Sequence, residues 1–205
     1  MNRYFQTPPV VKNLIIINVL AYMATMLLPV GDQIYRLFAL SVGAPEFLGM
    51  EFHSYQFITY MFLHVNFEHI FFNMFALWMF GRTLEYELGQ KRFLTYYMVC
   101  GIGAALIQYL TALAFGEFPL VLVGASGAVM GLLLAFGVLH PNAVIMLLIP
   151  PIPMKAKWFV VIYGVIELFL GWRGVGNVAH FAHVGGMLWG FLLLQWWKQR
   201  GIIRF

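Results

Sequence analysis

A serine and a histidine interrupt runs that otherwise have the make-up of bilayer-spanning helices: Ser126 in Gly124-Ala125-Ser126-Gly127, and His183 in Ala182-His183-Val184-Gly185-Gly186. Polar side chains are costly in hydrocarbon, so a hydroxyl and an imidazole at membrane depth point to chemistry there. A serine hydroxyl is a weak nucleophile until a base within hydrogen-bond reach accepts its proton, and neutral imidazole has suitable basicity. His183 is therefore the candidate base for Ser126. A serine at a helix start, on a Gly-flanked turn, also leaves backbone N–H groups free to bind a developing oxyanion. Gly124 and Gly127 would let a substrate backbone come near. His64, His69 and Asn73 follow in the order H-x4-H-x3-N. His69 and Asn73, four apart, share a helix face, and both can donate the hydrogen bonds that a tetrahedral intermediate needs. His64, just ahead of that helix, is expected to organise the loop by bonding to backbone carbonyls. His180, one turn outside His183, is expected to be a structural or rim histidine, and the sequence gives it no clear role.

The elements that must position these groups follow from composition. Of 205 residues, 62% are hydrophobic and 10% charged, and the mean hydropathy is +0.82, well outside the range of soluble domains. Apolar runs long enough for a hydrocarbon core of about 30 Å lie at 10 to 29, 57 to 81, 93 to 115, 126 to 140, 155 to 171 and 178 to 197. The expected architecture is all-α: a polytopic six-transmembrane-helix bundle forming one domain over 1–205, with tails too short for a soluble domain. Arg3 and Lys12 ahead of an apolar stretch resemble a signal peptide, but the run is long and lacks a small-residue cleavage site, so it reads as a retained first helix. The single Cys100 excludes an intramolecular disulfide.

Charge sets the orientation, because lysine and arginine collect on the cytoplasmic side. With both termini cytoplasmic, Arg3, Lys12, Arg82, Lys91, Arg92, Lys155, Lys157, Lys198, Arg200 and Arg204 lie inside, and only Arg36 and Arg173 of the 12 basic residues lie outside. The outer loops are expected to carry Asp32, Glu46, Glu51, Glu117 and Glu167. A pI near 9.3 is then a matter of topology, with no nucleic-acid partner implied. The long outer connection from Val30 to Tyr55 contains Ile34-Tyr35-Arg36-Leu37-Phe38, a pattern that suits a segment lying in the membrane interface and equally an ordinary outer loop packed on the bundle.

The fourth span is short. From Ser126 to His140 it covers only ~22 Å, so it must begin below the outer surface, with residues 118 to 125 descending to it in extended form. Counted from the inner helix ends at ~1.5 Å per residue, Ser126 lies ~21 Å above His140, His183 ~22 Å above Lys198 and His69 ~20 Å above Arg82. Three polar residues from three helices share one level. Gly127 and Gly131, and Gly186 and Gly190, remove bulk from one face each of the fourth and sixth helices and would let them approach. Singly, Ser126 reads as a packing residue, His183 as a satisfied intramembrane histidine and Asn73 as interhelical glue. Their common depth favours the joint reading.

Over nearly its whole length the chain resembles the rhomboid family of intramembrane serine proteases, in its compact six-helix bacterial form. The resemblance rests on His64-Val65-Asn66-Phe67-Glu68-His69-Ile70-Phe71-Phe72-Asn73, Gly124-Ala125-Ser126-Gly127, Ala182-His183 with Gly186 and Gly190, and Gly81-Arg82-Thr83-Leu84-Glu85 with Gly89. It implies Ser126 as nucleophile and His183 as general base, in a dyad without an aspartate. It implies an oxyanion hole from His69, Asn73 and the backbone N–H groups of Ser126 and Ala125. It also implies an outer loop between spans one and two that lies in the membrane interface, a fifth helix and following cap that gate substrate entry, transmembrane protein substrates, a bacterial inner-membrane setting and no metal or organic cofactor, while the charge count places the site toward the outer side. Two departures stand out: Met130 where an aromatic residue often packs on the catalytic imidazole, implying a changed seat for His183, and Tyr55-Gln56 where Trp-Arg is common, implying changed anchoring of the outer loop. Three other functions compete. A zinc enzyme using His64, His69, His180 and His183 lacks any H-E-x-x-H. A catalytically silent rhomboid-like helix-binding protein would be expected to lack the serine or the histidine. A transporter would be expected to show an internal repeat.

Overall fold

A computed structural model describes residues 6–43, 49–146, 151–174 and 179–204. Arg3, Glu46 and position 178 of the expected sixth span lie outside the described residues. The first helix, α1 (Pro9–Leu27), begins on two prolines, whose fixed φ suits a first turn and whose missing N–H leaves no orphan donor. The next two N–H groups are satisfied by one carboxylate from far along the chain. Val10 N donates to Glu85 Oε1 at 3.0 Å and Val11 N to Oε2 at 2.7 Å. Glu85 is only 2% exposed, and its negative charge also suits the positive end of the helix dipole. Glu85→Ala removes both acceptors and is expected to destabilise the protein by about 1.5–3 kcal/mol, measured as a lowered melting temperature in detergent. An unchanged melting temperature would mean that water serves these two N–H groups equally well.

The second expected span, 57 to 81, is broken. The chain first forms α3 (Gln56–Thr59) and a 3-10 turn at Tyr60–Phe62, and extends at Leu63. A new helix, α4 (Phe67–Ala76), is opened by Asn66, whose side chain accepts the His69 N–H at 2.8 Å. Asparagine is a strong helix opener, a signal that hydropathy alone passes over. α4 continues through one wide turn, Leu77–Gly81, into α5 (Arg82–Leu88). The continuous segment is ~33 Å long, displaced along the chain relative to the expected span.

The remaining helices lie within a few residues of expectation: α6 (Gln90–Phe115), α7 (Ser126–Leu139), α8 (Ala156–Arg173) and α9 (His180–Gln199). α6, α7 and α9 pack against one another. Gly127, Ala128, Gly131 and Ala135 of α7 are buried, small residues that admit close neighbours on more than one side. Tyr60 and Tyr96 donate their buried hydroxyls to the carbonyls of Gly101 at 2.7 Å and Gly131 at 2.9 Å, tying α6 to the segments around it.

The connection from Val30 to Tyr55 contains α2 (Gly31–Phe38), with Leu37 and Phe38 exposed, followed by β1 (Leu40–Val42). β1 pairs antiparallel with β2 (Leu120–Leu122), Leu40 opposite Leu122, so part of the descent toward Ser126 is a strand tied to this connection. Gln56 is fully buried there and bonds to four backbone groups. Its Oε1 accepts from Ser41 N at 3.3 Å and His53 N at 3.2 Å, and its Nε2 donates to the carbonyls of Leu37 at 3.2 Å and Glu51 at 2.8 Å. Tyr55-Gln56 therefore supplies an anchor of its own. A second hairpin, β3 (Val144–Met146) with β4 (Pro153–Lys155), joins α7 to α8. These four short strands are confined to loops of a mostly helical chain, whose backbone groups they satisfy by pairing.

Apolar side chains face outward. Ile16, Ile17, Leu20 and Met23 of α1 are exposed, as are Val161, Val165, Phe169 and Trp172 of α8. Faces of this size on a soluble monomer would seek a partner, whereas lipid solvates them directly. By length and composition α1 and α6 are each able to cross a membrane, α1 with only 17% of its apolar window buried. α7 is apolar but shorter, and α8 carries Lys157, Glu167 and Arg173.

Candidate active site

The approach to α7 depends on one glycine. Gly124 has φ +117°, a conformation side chains disfavour, and its N–H donates to the Tyr60 carbonyl at 2.9 Å. A β carbon on Gly124 would lie 2.6 Å from both Cε1 and Nε2 of His69 and 3.8 Å from Ser126 Oγ. The bare glycine thus lets the edge of His69, from α4, lie over the turn that presents Ser126. Ser126 is the first residue of α7, where backbone N–H groups have no partner in the preceding turn.

The start of α9 is held separately: Ala182 N donates to Gln108 Oε1 of α6 at 2.9 Å, and His183 N to the Ala179 carbonyl at 3.2 Å. This places the His183 ring, 8% exposed, against α7. His183 Nε2 lies 2.9 Å from Ser126 Oγ. The two helices meet here through glycine backbones, since a β carbon on Gly186 would strike the Gly127 carbonyl, while those on Gly127, Gly131 and Gly190 would strike Ala104, Cys100 and Tyr96 respectively.

The far side of the imidazole holds a residue that sequence reasoning placed elsewhere. Glu167, counted among the outer-loop acids, lies in α8 and is 4% exposed. Its Oε2 is 3.0 Å from His183 Nδ1 and 2.7 Å from His180 Nδ1, and the Tyr163 hydroxyl one turn earlier also bonds to the carboxylate. A carboxylate only accepts. Both Nδ1 atoms therefore carry hydrogen, a tautomer assigned from the bonding network, and His183 Nε2 presents its lone pair to the serine hydroxyl. The signal was present in the sequence: Glu167 falls inside the apolar run 155 to 171, and an acid within such a run demands a partner. His180, expected to be a structural or rim histidine, is that carboxylate's second donor.

The other expected residues divide. Asn73 Nδ2 donates to the His69 carbonyl, one turn back on its own helix, at 2.9 Å. Met130 is half-buried against the core. His64 is fully buried beside the Phe62 backbone. Its ring packs edge-on to His69 at 4.9 Å. The four histidines of the zinc alternative separate into these two pairs. Among the described residues, only Glu167, His180 and His183 bring three ligand atoms within 4.8 Å of one another, and hydrogen bonds from both rings to one oxygen already account for that convergence.

A model of the rhomboid domain matches residues 51–198. Over 135 residues the chain is 34% identical to Rhomboid protein 1, mitochondrial, of Saccharomyces cerevisiae, covering 63% of this chain and 38% of that protein. It is 32% identical over 143 residues to Presenilin-associated rhomboid-like protein A, mitochondrial, of Danio rerio, covering 65% and 36%. Against Presenilin-associated rhomboid-like protein, mitochondrial, of Bos taurus it is 28% identical over 137 residues, covering 62% and 35%. The match thus spans little more than a third of each of these relatives. All three names are mitochondrial, so the expected bacterial inner-membrane setting draws no support from them.

Proposed function

The chain belongs to the rhomboid family and is thus an integral membrane protein, and from that premise we propose that it is an intramembrane serine endopeptidase that cleaves transmembrane segments of other membrane proteins. The observation that carries this reading is the 2.9 Å approach of His183 Nε2 to Ser126 Oγ, made by residues 57 apart in sequence at the start of two apolar helices. His183 takes the hydroxyl proton as Ser126 attacks the scissile carbonyl, and returns it to the leaving amine. The acyl-enzyme is then hydrolysed by water activated on the same imidazole. The free N–H groups of Ser126 and Ala125 and the edge of His69 face the developing oxyanion, and Asn73 joins them by its second amide hydrogen.

In this proposal α1, the α4–α5 segment, α6, α7, α8 and α9 are the six crossings, with both termini cytoplasmic and the site opening to the outer side. The substrate is a membrane helix that enters from the lipid and unwinds near its outer end. The dyad needs no metal or organic cofactor. A serine-directed fluorophosphonate probe is expected to label the protein in detergent, and labelling should disappear in Ser126→Ala. Absence of labelling in the folded wild type would remove the nucleophile and leave a helix-binding role.

A further inference from the structure

Glu167 is a charged group almost fully enclosed in an apolar helix, an arrangement that is costly unless its lone pairs are filled. Two imidazoles and a phenol fill them. The carboxylate oxygen that meets His183 Nδ1 at 3.0 Å lies on the opposite side of the ring from Ser126 Oγ, at 2.9 Å from Nε2. The order hydroxyl, imidazole, carboxylate is continuous. We infer that Glu167 is a positioning residue for His183, extending the expected dyad into a three-membered relay whose acid comes from α8. This inference rests on the reading of Ser126 and His183 as nucleophile and base.

Three consequences follow from the geometry. An acceptor-only group at Nδ1 keeps hydrogen there and the lone pair on Nε2, so the ring faces Ser126 in the one tautomer able to take its proton. The bond also limits rotation of the ring about its χ2 axis, which matters where Met130 replaces the aromatic neighbour implied by the family resemblance. As the imidazole becomes positively charged in the transition state, the fixed carboxylate lies on its far edge to stabilise that charge. His180 shares the same oxygen at 2.7 Å and holds the carboxylate in place without touching the serine. The acid's location on α8 adds a structural coupling: displacement of α8 from α9 would remove the acceptor from His183.

The test uses the full-length protein reconstituted with a single-span reporter, comparing wild type, Ser126→Ala, Glu167→Gln and Glu167→Asp. In Glu167→Gln the amide offers N–H as readily as C=O to Nδ1, so the wrong tautomer becomes accessible. Its kcat is expected to fall by about 10²–10⁴-fold, with KM changed less than threefold because Glu167 does not touch substrate. Glu167→Asp keeps the charge but withdraws it by one methylene, and is expected to recover part of the lost rate. Proton NMR of ¹⁵N-histidine-labelled protein should show a strongly downfield Nδ1–H resonance in wild type and Ser126→Ala that is missing in Glu167→Gln. A Glu167→Gln protein with kcat within threefold of wild type, or with the resonance intact, overturns the inference while leaving Ser126 and His183 in place. Should Glu167→Gln fail to fold, Glu167→Asp decides: unchanged kcat in a folded protein overturns the inference, and reduced kcat at constant KM supports it. Loss of the protease reading itself has a different signature, namely undiminished cleavage in Ser126→Ala, and the resonance then still reports the bond.

Discussion

Ser126→Ala is expected to reduce cleavage of a single-span reporter in proteoliposomes by about 10⁴-fold or more, and His183→Gln by a similar factor. The serine oxygen is the atom that would become covalently acylated, and no other hydroxyl is described within hydrogen-bond distance of His183. His183 is the only described base against that oxygen. The two effects should not add: with the nucleophile gone the base has no proton to take, so the double variant should be about as slow as either single one. Residual activity would come from whatever the oxyanion donors and substrate binding contribute alone. Both variants should retain the wild-type melting temperature within a few degrees, since Ser126→Ala removes one oxygen and His183→Gln keeps a polar group beside Glu167. Undiminished proteolysis in Ser126→Ala would reject the nucleophile and the proposed activity together.

Gly186→Ala is the second change expected to have a large effect, although it alters no reacting group. The added β carbon meets the carbonyl oxygen of Gly127, a backbone atom that cannot rotate away. α7 and α9 must therefore separate, and Ser126 and His183 sit on those two helices. Misplacement by about 1 Å costs on the order of 10²-fold in rate, and overpacking at a close helix contact costs about 1–3 kcal/mol. The expected result is a matching loss in kcat and in fluorophosphonate labelling rate, with a lowered melting temperature. Gly164→Ala in α8 is the control, because its β carbon would meet only the flexible tip of Met187, with Cε at 3.2 Å and Sδ at 3.8 Å. That variant should keep both rate and stability close to wild type. Equal behaviour of Gly186→Ala and Gly164→Ala would mean that the bundle yields at the α7–α9 contact without moving the site.

Hydropathy and helix rise were enough to find five of the helices and to set Ser126 level with His183. The boundaries of α1, α6, α7, α8 and α9 lie close to those of the apolar runs, because each helix satisfies its own backbone groups and can run the whole length of an apolar stretch. The common level of Ser126 and His183 followed from a rise of ~1.5 Å per residue. The break at Leu63–Asn66 was missed because apolar residues continue through it and the decisive event is a single asparagine cap. The β1–β2 ladder was missed because three-residue strands carry almost no periodicity to detect.

Length, composition and spacing by themselves determined an apolar, mostly helical protein and a common level for its serine and histidine, since both depend only on local sums along one helix. Tertiary structure alone decided which way each helix turns about its axis, and with it every long-range polar partner. Glu85 reaches Val10 and Val11 across 75 and 74 residues, Gln108 reaches Ala182, and Glu167 turns inward to His180 and His183 rather than out to water. A linear count records how far along a helix a side chain lies. Its azimuth is chosen by the packing of all the neighbours at once, and here that azimuth converts an apparent loop acid into the third member of the site.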